Sequence, residues 1–143
     1  MQQRFLGVDH IDVRVRSLAQ VQAFYERLMP ALGLPKKRFA YVDEQGEWQN
    51  DVKGGRYNAV EFVEDTKAAP LFIGFIEDRT MQPTDTRIAF RIASPDELTG
   101  WRDFLVSIGA ANVELSADPK EYPAVFFEDG CGTKLEVVAR RQA

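Results

Sequence analysis

The sequence of 143 residues contains one cysteine, one histidine and no excess of positive charge. A single cysteine excludes an intrachain disulfide, and the first residues lack the apolar core of a signal peptide, so we expect a reducing, cytoplasmic location. No apolar run approaches the length of a membrane span. The net charge of −4 provides no field that attracts phosphates, which argues against nucleic acid and membrane surfaces as partners.

The composition, 45% hydrophobic and 28% charged, is that of one soluble globular domain with a proper core. Two short segments are interpreted as surface features without a functional role. Cys131 lies in the turn-like tetrad Asp129-Gly130-Cys131-Gly132 and is expected to be exposed. The basic cluster Lys36-Lys37-Arg38 is expected to be a set of solvated loop charges.

The single histidine lies in a strand-like segment, Val8 to Val15. Its apolar residues alternate with His10, Asp12 and Arg14, and this period of two places the polar side chains on one face of a strand. An imidazole is largely neutral at neutral pH, so His10 is suited to a role as metal ligand or general base. A structural, hydrogen-bonded histidine is the alternative.

The segments that follow predict one helix and several strands. Three- and four-residue spacing of apolar residues predicts a helix that starts at the cap Ser17 and ends at Gly33. A strand is expected around residues 39–42, and a mobile loop around residues 48–55. Two further strands are expected at 57–63 and 70–76, followed by a polar linker at 77–86.

Beyond this linker the pattern repeats. At an offset of 77 residues Arg87 aligns with His10, and a second helix, about 96–108, aligns with the first. At an offset of 65 residues the segment 122–129 aligns with 57–64, which matches Phe126 with Glu61. The last strand, 133–139, is the repeat counterpart of 70–76, and this correspondence matches Glu136 with Ile73. The chain is therefore predicted to contain two similar modules, about 5–77 and 85–140, within one domain spanning 1–143.

Each module reads as strand, helix and two or three strands, and neither alone buries a core well. We expect an α+β fold in which two repeated βαβββ modules form a curved, mixed β-sheet around a cleft, with the helices outside. Strand alternation and the repeat point several side chains into this cleft. They are His10, Asp12 and Arg14 on the first strand, Arg87, Ala89 and Arg91 on its repeat, and Glu61, Phe126 and Glu136.

This arrangement resembles the vicinal oxygen chelate superfamily, which includes glyoxalase, extradiol dioxygenases, fosfomycin-resistance proteins and bleomycin-binding proteins. The resemblance covers nearly the whole chain. It is carried by Asp9-His10-Ile11-Asp12-Val13-Arg14-Val15 with Phe24-Tyr25, by Thr86-Arg87-Ile88-Ala89-Phe90-Arg91, and by Phe126-Phe127-Glu128-Asp129 through Lys134-Leu135-Glu136-Val137-Val138.

The resemblance implies a divalent metal (Zn, Ni, Mn or Fe) held by the first and last strands of the modules. It assigns His10 and Glu136 as metal ligands and puts Arg87 and Ile73 at the other two usual ligand positions. An arginine has no lone pair to donate and stays charged, so Arg87 cannot replace an imidazole. Two alternatives follow: a metal site completed by Glu61, Asp12, water or substrate, or a buried ion pair between Arg87 and Glu136 to which His10 is hydrogen-bonded.

Two functions remain open at this point. The first is a metal-dependent lyase, isomerase or transferase with Glu61 and Glu136 as catalytic residues. The second is a metal-independent protein that sequesters an antibiotic-type small molecule, with Arg87 in place of a metal ligand. For either function the predicted substrate-binding residues are Arg87, Asp12, Phe72, Tyr122 and Phe126. The resemblance also implies a homodimer.

Overall fold

A computed structural model describes residues 3–50, 52–53 and 55–140. Its first half contains β1 His10–Val15, α1 Leu18–Ala31, β2 Lys36–Val42, β3 Trp48–Asn50, β4 Ala59–Val63 and β5 Phe72–Glu77. Its second half contains β6 Arg87–Arg91, a 3₁₀ turn Pro95–Glu97, α2 Leu98–Ser107, β7 Ala111–Leu115, β8 Ala124–Glu128 and β9 Lys134–Val138.

The strands form two mixed sheets. The first sheet has the order β1-β5-β4-β2-β3, and the second has the order β6-β9-β8-β7. In both sheets the first strand pairs in parallel with the last strand, which pairs antiparallel with the strand before it. This confirms the predicted α+β fold with two similar modules.

The chain divides into two compact units. One contains the residues up to Leu18 and Met29–Arg79, and the other contains Ala19–Leu28 and the residues from Thr80 onward. Most of α1 therefore packs with the second sheet. The Tyr25 hydroxyl donates a 2.6 Å hydrogen bond to Asp129 Oδ2, and burial together with this carboxylate raises the Tyr25 pKa well above its ordinary value.

Both helices have defined ends. The Leu18 N–H, at the start of α1, donates to Glu77 Oε2 at 2.9 Å, and Gly33, with φ of +90°, follows the last turn. Before α2, the Ser94 hydroxyl accepts from the Asp96 N–H, which satisfies one of the free donors at a helix start. Among the described residues, no helix is long and apolar enough to cross a membrane.

Two local expectations were wrong. Part of the segment expected as a loop is strand β3, which pairs antiparallel with β2, and its Trp48 packs on a core cluster containing Ala40 and Val42. Residues 51 and 54, also in the expected loop, lie outside the described part of the chain. Cys131 is buried instead of exposed, because the turn that carries it folds back against α1, where the Cys131 thiol lies 3.6 Å from Gln20 Oε1.

The register of the sheets also corrects the alignment of Glu136 with Ile73. Glu136 on β9 is opposite Phe126 on β8, and the residue opposite the matching Glu61 on β4 is Gly74. Ile73 lies on the other face of β5 and is buried in the core. The first-sheet counterpart of Glu136 therefore has no side chain.

Candidate functional site

Four polar or small residues form one row across the first sheet. Arg38 on β2 is opposite Glu61 on β4, Glu61 is opposite Gly74 on β5, and Gly74 is opposite Asp12 on β1. Side chains in such a row point to the same face of the sheet. A Cβ placed on Gly74 would lie 3.2 Å from Asp12 Oδ1 and 3.5 Å from Glu61 Cγ, so the glycine gives the two acidic side chains their space.

Glu61 is the buried acid of this row, with 7% of its surface exposed. Its Oε1 lies 3.3 Å from Arg38 Nε. Burial raises the pKa of the Glu61 carboxyl; Arg38 opposes this shift and the Asp12 carboxylate adds to it. A carboxyl with a raised pKa carries a proton more readily near neutral pH, which suits general acid–base work.

His10 stacks on Phe72, the residue opposite it on β5, with ring centroids 4.6 Å apart and an interplanar angle of 3°. Its Nδ1 lies 2.7 Å from Asp9 Oδ2, and its Nε2 lies 3.9 Å from Asp12 Oδ2. The hydrogen bond to Asp9, and then the Asp12 charge, raise the His10 pKa above its ordinary value of 6.5. The predicted residues His10, Asp12, Glu61 and Phe72 are therefore neighbours.

A cavity of about 320 Å³ opens on this face of the first sheet. Its lining consists of Arg38, Asn50, Glu61 and Phe72. We call the row, His10 and the residues around this cavity the first-sheet site.

A different set of side chains gathers on the second sheet. Glu136, 3% exposed, accepts a 2.6 Å hydrogen bond from the Tyr122 hydroxyl, and this bond raises the Tyr122 pKa. The Arg87 guanidinium lies over the Phe126 ring at 4.7 Å, and the Arg140 guanidinium lies over the Tyr122 ring at 4.8 Å. We call these five residues the second-sheet site.

The ion pair between Arg87 and Glu136, one of the two alternatives left open by the sequence, is absent from the described part of the chain. The Glu136 carboxylate instead accepts its hydrogen bond from Tyr122, and the Arg87 guanidinium lies against the face of the Phe126 ring. Guanidinium groups favour such stacking because the ring quadrupole attracts the cation. The predicted residues Arg87, Tyr122, Phe126 and Glu136 are brought together, but with different pairings.

The residues of each site fit a divalent metal poorly. No group of three or more His, Cys, Asp and Glu side chains suited to a metal ion occurs among the described residues. In the second-sheet site the one carboxylate has two arginines around it, and in the first-sheet site Arg38 lies against Glu61. Catalytic zinc sites need three protein ligands, and neighbouring guanidinium groups repel a cation.

Sequence reasoning missed Arg38, Asn50 and Arg140. Arg38 was assigned to solvated loop charges, yet it lies in β2 on the same face as Ala40 and Val42, both buried. A strand read back from these two apolar residues with a period of two would have placed Arg38 on the site face. Arg140 and Asn50 lie at or beyond strand ends and carry no such signal.

Comparison with known sequences finds no matching family model and no matching curated protein. Comparison of structures finds several similar folds. A mutant of the fosfomycin resistance protein FosX from Listeria monocytogenes, complexed with Mn(II) and 1S,2S-dihydroxypropylphosphonic acid, has a TM-score of 0.65 at 19% identity, over 96% of this chain and 95% of that one.

Two further structures show the same likeness. A protein from Bacillus halodurans, provisionally assigned as a glyoxalase, has a TM-score of 0.62 at 21% identity, over 93% of this chain and 95% of that one. FosX from Mesorhizobium loti has a TM-score of 0.60 at 14% identity, over 96% and 95%. The chain therefore shares the fold of these solved structures.

Proposed function

We propose that this protein binds a small acidic organic molecule through the second-sheet site, and that it does so without a metal ion. The observation that carries the proposal is Arg87. It stands in the repeat position of His10, where the resemblance implies a metal ligand, and its guanidinium lies over Phe126. A permanently charged group without a lone pair binds anions and cannot coordinate a metal.

The charges of this site support an acidic ligand. Arg87 and Arg140 contribute two guanidinium groups, and Glu136, already bonded to Tyr122, contributes one carboxylate. A guanidinium that stacks on a ring keeps its N–H edge available for a carboxylate or phosphonate. The two rings offer apolar faces to the organic part of the ligand.

The FosX structures support the ligand class and differ in the metal. The Listeria protein was solved with a phosphonic acid and Mn(II), so this fold accommodates a small phosphonate. In the present chain we infer that the two arginines, and not a metal ion, compensate the charge of the ligand. This interpretation favours binding over the metal-dependent lyase, isomerase or transferase chemistry of the other hypothesis.

A second candidate function rests on Glu61. It is a buried carboxyl with a raised pKa beside a cavity, which is the environment of a general acid or base. If the chain is an enzyme, we propose Glu61 as the proton-transferring group. Glu136, held by Tyr122, is then a positioning residue for that ring instead of a base.

Thermal unfolding with added ligands tests the binding proposal. We expect phenylphosphonate at roughly tenfold excess over its Kd to stabilise the fold by about 1.4 kcal/mol, which raises Tm by roughly 4–6 °C for a domain of this size. Arg87→Gln should remove the effect. Arg91→Gln, which removes the same charge from the other end of β6, is the matched control and should keep it.

Metal titrations test the second part of the proposal, that binding needs no metal ion. Mn²⁺, Zn²⁺ and Ni²⁺, added alone, should leave Tm unchanged. A saturable rise of Tm with one of these metals, together with an undiminished phenylphosphonate response in Arg87→Gln, would contradict the proposal.

We also propose that the protein is a cytoplasmic homodimer. The residues before β1 expose Phe5, Leu6 and Val8, and β1 is an edge strand of the first sheet. Exposed apolar side chains beside an open edge are typical of a surface that another chain covers. A second copy of the chain is the proposed partner, in line with the resemblance.

A further inference from the structure

The cavity of the first sheet shares no residue with the second-sheet site, so the binding function proposed for that site does not use it. Its lining, Arg38, Asn50, Glu61 and Phe72, combines a cation, an amide, a buried acid and an aromatic ring. A volume of about 320 Å³ lies at the low end of the range for small-molecule sites, about 300–1,000 Å³. The cavity therefore suits a small ligand.

Arg38 is held in place on two sides. Its Nε lies 3.3 Å from Glu61 Oε1, and its Cζ lies 4.9 Å from the centre of the Phe72 ring. His10 reaches the same ring from β1, on the other side of β5. Phe72 is thus fixed by two neighbours, and the plane of the guanidinium is fixed by an acid and a ring.

The terminal nitrogens of Arg38 are the donors that remain. Within residues 3–50, 52–53 and 55–140, neither Nη atom forms a hydrogen bond, and the buried Nε lacks hydrogen-bond geometry toward its neighbour Glu61. Glu61 is paired with Arg38 inside the protein, and Asp12 Oδ2 lies 3.9 Å from His10 Nε2. A ligand that enters the cavity therefore meets the terminal donors of Arg38 and the face of the Phe72 ring.

We propose that this cavity is a separate binding site for a small planar carboxylate, in which the Nη edge of Arg38 binds the carboxylate and Phe72 contacts the planar part. The fork of a guanidinium matches the two oxygens of a carboxylate. Glu61 acts as a positioning residue that orients Arg38. Asn50, at the end of β3, supplies an amide for a polar substituent. The proposal stands independently of the proposed function.

Three probes of one shape and different charge test the proposal: benzoate, benzamide and benzamidinium. Their binding is measured by calorimetry in the Arg87→Gln variant, so that the second-sheet site does not contribute and a failure of the proposed function leaves the result unaffected. We expect benzoate to bind at least about tenfold more tightly than benzamide, since charge-assisted bidentate pairs are about twice as strong as neutral hydrogen bonds. Benzamidinium should bind most weakly.

Variants of β2 assign the effect to Arg38. In the same background, Arg38→Gln should lose the preference for benzoate over benzamide. Lys37→Gln removes a neighbouring charge that points to the opposite face, where Lys37 lies over the Phe39 ring, and should keep the preference. If Arg38→Gln does not fold, Arg38→Lys decides the matter: it keeps the charge without the fork and should weaken benzoate several-fold while benzamide stays unchanged.

NMR locates the bound probe. Benzoate should shift the side-chain amide signals of Asn50 in a saturable way, and this shift should vanish in Arg38→Gln. The proposal is overturned if benzoate does not bind, if all three probes bind equally, if benzamidinium binds most tightly, or if Arg38→Gln keeps the wild-type preference.

Discussion

At the scale of single residues, the contact between His10 and Asp9 determines the orientation and the protonation of the imidazole in the first-sheet site. Its 2.7 Å contact connects adjacent residues of the chain, so the imidazole is oriented by its own segment. The ring then lies flat on Phe72 with Nε2 toward Asp12. A histidine held in this way is a proton donor to carboxylates, and its charged form is favoured.

This contact leads to a pH prediction. The raised pKa means that the native state holds the His10 proton more tightly than the unfolded chain. The stabilisation by protonated His10 is fully present below the ordinary value of 6.5 and is lost as pH rises through the higher native pKa. Because the sequence has a single histidine, its ring proton signals in ¹H NMR should give an unambiguous midpoint above 6.5.

Substitution of the neighbouring acid checks the cause. Asp9→Asn should lower the His10 midpoint because it removes the largest contribution to the shift, whereas Asp103→Asn on α2 should leave it in place. A midpoint that does not respond to Asp9→Asn would show that the hydrogen bond is not its origin.

At the scale of elements, the connection between β8 and β9 shows how one carboxylate organises a turn. Asp129 Oδ1 accepts from the N–H groups of Cys131 and Thr133 at 2.8 and 3.0 Å, while Oδ2 accepts from Tyr25. Gly132 within this turn has φ of +86°, and a Cβ placed on it would lie 2.9 Å from Pro83 Cγ. The turn therefore depends on a glycine at this position.

Gly132→Ala should destabilise the protein by about 2 kcal/mol or more, since the left-handed conformation alone costs an alanine about 1–2 kcal/mol and the proline contact adds to it. Gly74→Ala is the matched control. There an added Cβ meets the Oδ1 of Asp12, a half-exposed side chain that can move, and the change should stay within about 1 kcal/mol. Urea unfolding measures both, and an equal loss in both variants would contradict this account.

The elements also show what could be read from the sequence. The alternation in β1 and the repeat at β6 correctly predicted which side chains share a face, because a period of two is visible in both segments. The continuous apolar run of β5, all buried except its ends, has no such period, so the pairing of Glu136 with Ile73 instead of Gly74 was a one-residue error of register. Only the hydrogen bonds between strands decide the register.

At the scale of the whole molecule, the fold prediction rested on the internal repeat. The solved structures named above share only 14 to 21% identity with the chain, so a similar fold is reached with mostly different side chains. In the candidate sites, too, the positions were easier to predict than the contacts of their side chains. Their members were mostly predicted, but contacts such as Tyr122 with Glu136 and Arg38 with Phe72 depend on rotamers across neighbouring strands, which no sequence pattern specifies.

The last prediction concerns assembly. Phe5 and Leu6 are 83% and 82% exposed next to the edge strand β1, and burying two such side chains on association contributes roughly 1.5–3 kcal/mol each. We expect sedimentation equilibrium to give twice the mass of one chain for the wild type, and one chain for Phe5→Ser combined with Leu6→Ser. Val106→Ser, which removes another exposed apolar side chain on α2, should remain dimeric. A monomeric wild type, or a double variant that stays dimeric, would show that this segment does not hold two copies together.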